Sequence, residues 1–298
     1  MNKTVLITGA SGGIGRALVR GFANAGYNVG IHYYRNREGA EAALRDARRA
    51  GVEANIYQAD AGNLGSSGNL GNPASPSNPG NLGSSGSPGD LGNLGSPGSP
   101  SNLGNLGSPS NSSNSSNPGA IQDMAAQAAA ELGEITHLVY NAGYSQQKLF
   151  TEISNEEWEH MFAVHVHGAF HACQAVLPAM IRRKEGVILL ISSIWGQIGA
   201  SCEVHYSAAK AALEGMAKAL AKEMGPSGIR VNGIAPGVID TDMNRALGED
   251  VLKSLAEDTA LGRLGLPEEV AALAVFLSGS KAAYITGQII GVNGGFLK

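Results

Sequence analysis

Short runs of apolar residues alternate along the chain with longer stretches in which apolar residues recur every three or four positions. The first pattern is typical of strands buried on both faces, and the second of helices with one buried face. The pattern predicts strands over residues 3–8, 27–33, 53–58, 137–140, 187–191, 230–234 and 288–292, and helices over 15–25, 38–50, 120–132, 156–184, 205–224 and 267–278. This alternation predicts one α/β domain with a parallel sheet covered on both sides.

Residues 62–118 break this pattern. They consist almost entirely of Asn, Leu, Gly, Ser and Pro in imperfect copies of NLGSSG and NLGSPG, and Asp90 is their one charged residue. Proline and glycine recur too often for a helix or a strand, and the apolar surface is too small to offset the entropy of ordering. We therefore expect a disordered insert within a single domain spanning residues 1–298. It falls at a surface connection between a strand and a helix, where added length costs little free energy.

Composition and charge narrow the classes of function. The formal net charge of -4 disfavours a nucleic-acid-binding protein. Cys173 and Cys202 lack the spacing of metal ligands, and the histidines of the helix over 156–184 are joined by no convincing third ligand. No window approaches the ~20 apolar residues of a membrane span, and the N-terminus has no signal-peptide pattern. We expect a cytoplasmic protein with no metal, no nucleic-acid partner and no membrane partner.

A glycine-rich turn joins the first strand to the first helix. It reads TGASGGIG from Thr8 to Gly15, in the strand–turn–helix context of a dinucleotide site. Its glycines allow a tight turn and let backbone amides approach a pyrophosphate at the helix N-terminus. The residues of this turn expected to contact the cofactor are Gly9, Ser11, Gly13, Ile14 and Gly15. A merely flexible turn is the alternative interpretation.

The second strand ends without the carboxylate that would bind the ribose hydroxyls of NAD. Arg35 and Arg37, helped by Arg16, are placed to pair with a 2′-phosphate, which favours NADP(H) over NAD(H). Alternatively, these arginines are solvated surface charges. Asp60 closes the third strand and is expected to bond the adenine amine. The fourth strand closes with Asn141-Ala142-Gly143, whose backbone is expected against the cofactor ribose.

Tyr206 and Lys210 lie one helical turn apart on one helix face. A neighbouring ammonium lowers the pKa of a phenol, ordinarily about 10, and eases proton exchange at neutral pH. Tyr206 is therefore expected to protonate a carbonyl oxygen while a hydride reaches the carbon, and Lys210 also to hold the nicotinamide ribose. Ser193, at the end of the preceding strand, is expected to hydrogen-bond the same oxygen. The residues predict a nicotinamide-dependent oxidoreductase, and the alternative of another class is a non-catalytic NADP-binding scaffold.

The motifs TGASGGIG, NAG, SSxWG, YSAAK, RVNGIAPG and GQIIGVNGG together resemble the short-chain dehydrogenase/reductase family, in particular its 3-oxoacyl-acyl-carrier-protein reductases. The resemblance covers essentially the whole chain outside the insert. It implies a doubly wound Rossmann fold with a seven-stranded parallel sheet, NAD(P) as the cofactor and usually a homotetramer. It also implies that Pro236, Gly237, Val238 and Thr241 belong to the loop that covers the nicotinamide.

One position departs from the family pattern. His165 stands where the family has an Asn that kinks the helix and holds a water of the proton relay. Imidazole also binds water and carries a proton, so we expect His165 to take over the relay, with packing alone as the alternative. This substitution and the stretch SSIWGxxGASCEV are similar to a narrower group, the elongation factor P 5-aminopentanone reductases. These enzymes reduce a ketone borne on a lysine of that translation factor.

Two residues of this stretch are candidates for substrate recognition. Glu203 is expected to bind the cationic amine of such a substrate, with Trp195 as an apolar or cation–π wall. Alternatively, Glu203 is an ordinary acid in the first turn of a helix. The competing prediction is reduction of a 3-oxoacyl thioester for fatty-acid synthesis, with acyl carrier protein docked on the basic residues 182–184, which are equally suited to cap a helix. In either case the substrate is a ketone, small or protein-borne.

Overall fold

The computed structural model describes residues 3–63, 121–245 and 247–296, all within one unit of the chain. Apart from its first two residues, the insert predicted over 62–118 lies outside these ranges, so its disorder stays a prediction.

Seven strands form one sheet in the described part of the chain. They are β1 (Thr4–Ile7), β2 (Asn28–Tyr33), β3 (Ala54–Gln58), β4 (Ile135–Tyr140), β5 (Gly186–Ile191), β6 (Ile229–Pro236) and β7 (Ile289–Val292). They pair in the order β3-β2-β1-β4-β5-β6-β7, and every neighbouring pair is parallel. β1, β4 and β5 are buried along their whole length, which explains their mainly apolar sequences; their polar exceptions are Thr4, Thr136 and His137. The doubly wound Rossmann fold is confirmed.

Helices cover both faces of this sheet. They are α1 (Gly13–Asn24), α2 (Arg37–Arg49), α3 (Ile121–Leu132), α4 (Asn155–Phe162), α5 (Gly168–Arg183), α6 (Ile194–Ile198), α7 (Val204–Met224), α8 (Asp242–Arg245), α9 (Glu249–Glu257) and α10 (Pro267–Ser278). One apolar core joins α1, α2 and α10 to the sheet, and a second joins α3, α5 and α7 to it. Within the described ranges, no helix combines the length and the apolar character that crossing a membrane requires.

The single helix predicted over 156–184 is wrong, because the structure has two helices joined by a π-helical turn. α4 begins with a capping box at Ser154. The π turn spans Ala163–His167, and α5 continues from it. The Tyr140 hydroxyl donates a hydrogen bond to the Val164 carbonyl inside this turn. A distant strand therefore supplies a hydrogen bond where the regular helical pattern is interrupted.

The connection that follows β3 packs closely on this π turn. A methyl group at Gly62 would lie 2.9 Å from Val164 Cγ2, and one at Gly168 would lie 2.7 Å from the Ala61 carbonyl oxygen. Neither position has room for a side chain unless its neighbours move. The chain up to Gly62 is thus seated against the turn that carries His165.

Candidate active site

The carboxyl ends of β1, β4, β5 and β6 open into one cleft of about 890 Å³. Ligands of open parallel sheets bind at this edge, where the order of the strands reverses. The glycine-rich turn lines the same cleft as Tyr206 and Lys210, so the predicted cofactor end and reaction end meet in one cavity.

Most residues predicted to bind the cofactor line this cleft. They are Gly9, Ser11, Gly13, Ile14, Gly15, Asn141, Gly143, Pro236, Gly237, Val238 and Thr241. Ala142 lies behind this surface, buried, and its amide donates to the Thr8 hydroxyl at 3.0 Å. Arg35 and Asp60 are not among the residues that line the cleft.

The glycine-rich turn has the shape of a cradle for a pyrophosphate. Gly9 has a φ of 62°, and a methyl group there would lie 2.8 Å from the Ala142 Cα. α1 begins at Gly13, and its cap residue Gly12 has no side chain to bond the first amides of the helix. These amides, with the positive end of the helix dipole, suit a phosphate. The residues present therefore fit a dinucleotide.

His32 supports this turn from below, a role that sequence analysis missed. Its buried imidazole accepts a hydrogen bond from the Gly9 amide at 3.1 Å, and its other nitrogen lies 3.1 Å from the Ala59 carbonyl oxygen. Burial lowers the pKa of His32 to about 4, so the ring is neutral at pH 7, as one accepting and one donating nitrogen require. A single sequence gives no signal for this role, because the position reads as an ordinary residue of an apolar strand.

The tip of β2 carries the arginines expected to recognise a 2′-phosphate. The Arg35 guanidinium lies 4.9 Å from the centre of the Tyr34 ring. Arg37 pairs with Glu41, one turn further along α2, at 2.9 Å. Asn36 lies between these two arginines in the sequence. It lines the cleft and caps α2, and sequence analysis did not single it out.

Two other predicted cofactor contacts are placed differently. Arg16 lines an adjoining hollow of about 240 Å³ with Thr241 and Arg245, and its help to Arg35 stays a prediction. One carboxylate oxygen of Asp60 accepts a hydrogen bond from the Gly62 amide at 2.9 Å. The structure thus gives Asp60 a local turn-forming role.

Ser193, Tyr206 and Lys210 come together as the motifs predicted. Ser193 caps α6, a short helix that the apolar pattern did not predict. Its hydroxyl accepts a hydrogen bond from the Trp195 amide at 3.2 Å. The Tyr206 phenol shares a hydrogen bond with Ser193. The Lys210 ammonium lies 5.5 Å from the Tyr206 ring centre and donates to the Ile191 carbonyl at 2.9 Å.

Burial sets the protonation states of this pair. It raises the pKa of Tyr206 to about 12, against the lowering effect of the hydrogen bond with Ser193. It lowers the pKa of Lys210 to about 7. The expected lowering of the phenol pKa by Lys210 is wrong: Lys210 is not among the groups that shift this pKa, and desolvation, which disfavours the phenolate, sets its direction. At neutral pH Tyr206 holds its proton, and Lys210 is near the midpoint of its titration.

His165 lies in the π turn, fully buried, with its ring edge-on to Tyr206 at 5.5 Å between ring centres. Its Nε2 lies 2.8 Å from the Tyr144 carbonyl oxygen, and its Nδ1 has no hydrogen-bond partner among the described residues. Burial, followed by the charge of Lys210, holds the pKa of His165 well below its ordinary value, so the ring is neutral. A methyl group at Gly143 would lie 2.8 Å from this Nδ1. The glycine of the NAG motif thus makes room for the imidazole.

Glu203 and Trp195 both line the cleft. Glu203 is only 7% exposed and shares a hydrogen bond with Gln147, while its Oε2 is buried and unpartnered among the residues that the structure describes. It precedes α7 as the cap residue but makes no capping bond, unlike an ordinary helix acid. Burial raises the pKa of Glu203. Trp195 packs edge-on against Phe296 at 5.4 Å, an aromatic partner that sequence analysis missed.

Over residues 3–63, 121–245 and 247–296, no three His, Cys, Asp or Glu side chains are grouped to hold a metal ion. Cys173 and Cys202 are free thiols.

Two family models match the chain. One, described as enoyl-(acyl carrier protein) reductase, matches residues 105–297, and the other, described as short chain dehydrogenase, matches residues 3–70. Together they span both the glycine-rich turn and the motif of Tyr206 and Lys210.

Curated relatives agree with these models over nearly the full chain. The chain is 36% identical over 298 residues to the uncharacterized oxidoreductase YmfI of Bacillus subtilis, with 99% of both proteins covered. It is 31% identical over 295 residues to the 3-oxoacyl-(acyl-carrier-protein) reductase FabG of Staphylococcus epidermidis, again with 99% of both covered. The FabG protein of Chlamydia muridarum is 43% identical over 166 residues, which cover 56% of this chain and 67% of that protein. The chain therefore belongs to the short-chain dehydrogenase/reductase family and is an NAD(P)-dependent oxidoreductase.

Proposed function

We propose that this protein is an NADPH-dependent ketoreductase in which Tyr206 is the general acid. The observation that carries the proposal is the convergence of Ser193, Tyr206 and Lys210 on a cleft whose far end is the glycine-rich turn. The bound nicotinamide supplies the hydride. The protein's own side chains bind the carbonyl oxygen, give it a proton and restore that proton.

Ser193 and Tyr206 hold the carbonyl oxygen between them. Both side chains line the cleft and share a hydrogen bond, so an oxygen placed there meets two hydroxyl donors. Because Tyr206 is protonated at neutral pH, it gives its proton as negative charge develops on the oxygen. Ser193 stabilises the same charge without losing its proton.

Lys210 and His165 reload the phenol. The Lys210 ammonium passes a proton to the phenolate, and His165 exchanges protons between Lys210 and the solvent through its Nδ1, which has no partner in the described part of the chain. His165→Asn is expected to change the pH profile of kcat, since an amide cannot accept a proton at one nitrogen and give one from the other, as a neutral imidazole does. Full activity with an unchanged pH profile would leave His165 with packing alone.

The catalytic proposal is tested by ketone-dependent oxidation of NADPH. Tyr206→Phe keeps the ring but removes the proton, and it is expected to lower kcat by at least about 100-fold. Tyr284→Phe is the matched control, because Tyr284 is fully exposed and does not line the cleft. Retained turnover in Tyr206→Phe would favour a cofactor-binding scaffold whose ketone reduction is adventitious.

The preference for NADPH rests on Arg35. Its guanidinium stands at the tip of β2, where the sequence Tyr33–Arg37 contains no carboxylate to repel a 2′-phosphate. Arg35→Ala is expected to raise KM for NADPH by about tenfold and to leave KM for NADH unchanged. Arg49→Ala, at the other end of α2, serves as the control. Equal effects on both cofactors would refute the assignment.

The substrate that the cleft fits best is a ketone with a cationic end, such as the aminopentanone group on a lysine of elongation factor P. Supporting this is the buried Glu203, whose Oε2 is unpartnered within the described part of the chain and therefore costly to bury without a cation. Two isosteric ketones test it, one ending in a trimethylammonium group and the other in a neutral tert-butyl group. Glu203→Gln is expected to raise KM about tenfold for the first only.

A 3-oxoacyl thioester is the second candidate substrate, because relatives of this chain are named 3-oxoacyl-(acyl-carrier-protein) reductases. The basic patch expected to dock the carrier protein lies at the wrong edge of the sheet. Arg182 and Arg183 end α5 beside the start of β5 and pair with Glu134 at 3.9 and 2.8 Å, whereas the cleft is at the carboxyl edge. NADPH oxidation compared between acetoacetyl thioester and aminopentanone-bearing elongation factor P separates the two candidates.

We also infer a homotetramer built through α4, α5 and α7. On α5, Phe170 and Ile181 are 47% and 41% exposed, which gives this surface apolar area to bury against another copy. Sedimentation velocity checks the assembly, and Phe170→Glu with Ile181→Glu is expected to dissociate it.

A further inference from the structure

Three consecutive residues after β4, Gln146–Lys148, lie between the start of α4 and the loop that precedes α7; we call them the clamp segment. On the α4 side, two of its side chains meet one carboxylate. The Gln146 amide nitrogen donates to Glu157 Oε1 at 2.7 Å, and the Lys148 ammonium donates to the two Glu157 oxygens at 2.8 and 2.7 Å. The Ser154 amide also donates to Glu157 at 2.8 Å, which ties the carboxylate to the backbone of the helix start.

The other side of the clamp segment bonds to residues 202–205, which form the end of the loop before α7 and the first residues of that helix. The contacts are the Lys148 amide to the Cys202 carbonyl at 2.7 Å, His205 Nε2 to Gln146 Oε1 at 3.1 Å, and a side-chain hydrogen bond between Gln147 and Glu203. All three residues of the clamp segment therefore hold the stretch in which Glu203 lies.

Glu157 decides how this stretch is held. A carboxylate only accepts hydrogen bonds, so the nitrogen of the Gln146 amide faces Glu157 and its oxygen faces His205. The His205 proton is therefore on Nε2. Cys202 has a φ of 62°, a conformation that non-glycine residues rarely adopt and that needs support from its surroundings. The amide of Lys148 supplies that support.

We propose that Glu157 is a positioning residue for Glu203, and through it for the cationic end of the substrate. The inference rests on the proposed recognition of a cation by Glu203. The Glu203 carboxylate is bonded to Gln147, and its Oε2, which has no partner among the described residues, is the oxygen left for the ligand. Glu157 fixes the residues on either side of Gln147, and so sets the place of this bond.

The test is Glu157→Gln, assayed with the trimethylammonium ketone and its tert-butyl isostere. The substitution leaves Lys148 without a countercharge and lets the Gln146 amide turn over, which frees the loop that carries Glu203. KM for the cationic ketone is expected to rise about three- to tenfold, with KM for the neutral ketone and both kcat values unchanged. Glu156→Gln is the matched control, since its exposed carboxylate is adjacent on α4.

Lys148→Met is the second variant, and thermal unfolding checks that each variant is folded. The inference stands when Glu157→Gln and Lys148→Met weaken the preference for the cationic ketone. It is overturned when both variants keep that preference while Glu203→Gln loses it, or when both ketones are affected equally. If Glu203→Gln itself keeps the preference, cation recognition by Glu203 is refuted, and the role of Glu157 is refuted with it.

Discussion

Each reactive side chain of the cleft has a protonation state that is set mainly by burial. The pKa of Tyr206 is raised to about 12, that of Lys210 is lowered to about 7, and that of His165 lies well below its ordinary value. In the direction of ketone reduction, the proposed donor is thus fully loaded at neutral pH. Lys210, near the midpoint of its titration, is able both to accept and to give a proton.

Lys210→Met is predicted to stabilise the fold while abolishing ketone reduction. The ammonium is buried and donates to the neutral Ile191 carbonyl, so its charge is poorly compensated. The pKa is lower in the folded than in the unfolded state. The cost is therefore complete below a pH of about 7 and disappears as the pH rises toward 10.5. Thermal unfolding below pH 7 is expected to show a gain of about 1–3 kcal/mol. A less stable variant would mean that the charge is compensated.

Gly143→Ala is predicted to act through His165. The added methyl group would lie 2.8 Å from the ring nitrogen, closer than real contacts allow. Stability is expected to fall by about 1–3 kcal/mol, and kcat by about tenfold. In a His165→Asn background the shorter side chain makes room, so a double-mutant cycle is expected to show coupling. Strictly additive effects would mean that the added methyl group does not act through His165.

At the scale of elements, the apolar pattern predicted the helices and strands whose formation depends on residues close together in the sequence. α10 spans Pro267–Ser278 as predicted, because a proline at its first position and a regular apolar repeat fix it. α6 was missed because five residues are too few to show a period, and its start depends on the Ser193 hydroxyl. The π turn was missed because it is joined to Tyr140, a residue of another element. The clamp segment was not predicted either, because its contacts also reach residues of other elements.

Tyr140→Phe is predicted to disturb the π turn without disturbing the sheet. It leaves the Val164 carbonyl without this donor, which is expected to cost about 1–2 kcal/mol of stability and to lower kcat by loosening the turn that holds His165. Tyr57→Phe is the matched control. It removes another largely buried tyrosine hydroxyl, bonded to Glu131 at 2.9 Å, far from this turn in sequence. Normal kcat in Tyr140→Phe would separate the bond from catalysis.

For the whole molecule, the residues alone predicted seven strands in a covered parallel sheet, and the family resemblance added their doubly wound arrangement. The site was predicted where motifs are contiguous, as at Ser193, Tyr206 and Lys210. It was not predicted where a role depends on what lies across the fold. His32 is the clearest case, since its two hydrogen bonds reach Gly9 and Ala59 in different connections.

Acid is predicted to destabilise the molecule through its buried histidines, chiefly His32, His137 and His165. Burial lowers the pKa of His32 and of His137 to about 4, and that of His165 well below its ordinary value. The unfolded chain therefore binds more protons below pH 6.5. Stability is complete above that value and is lost as the pH falls toward 4, by about 3 kcal/mol for each of His32 and His137.

Urea unfolding measured across this pH range checks the effect. His137→Gln is expected to flatten the dependence on pH, because glutamine does not titrate, whereas replacing the exposed His160 is expected to leave it unchanged. An identical dependence in the His137 variant would assign the acid sensitivity to the carboxylates.

The seating of Gly62 against the π turn has a consequence for engineering. A reporter domain spliced in before Gly62 would force the connection off the turn, whereas one spliced in after Asn63 would leave that contact intact. Tension applied by a domain inserted before Gly62 would reach the His165 turn within a few residues. Ligand binding to a domain inserted at this junction would therefore change the turnover of the enzyme. The enzyme would then report that binding, as in a biosensor.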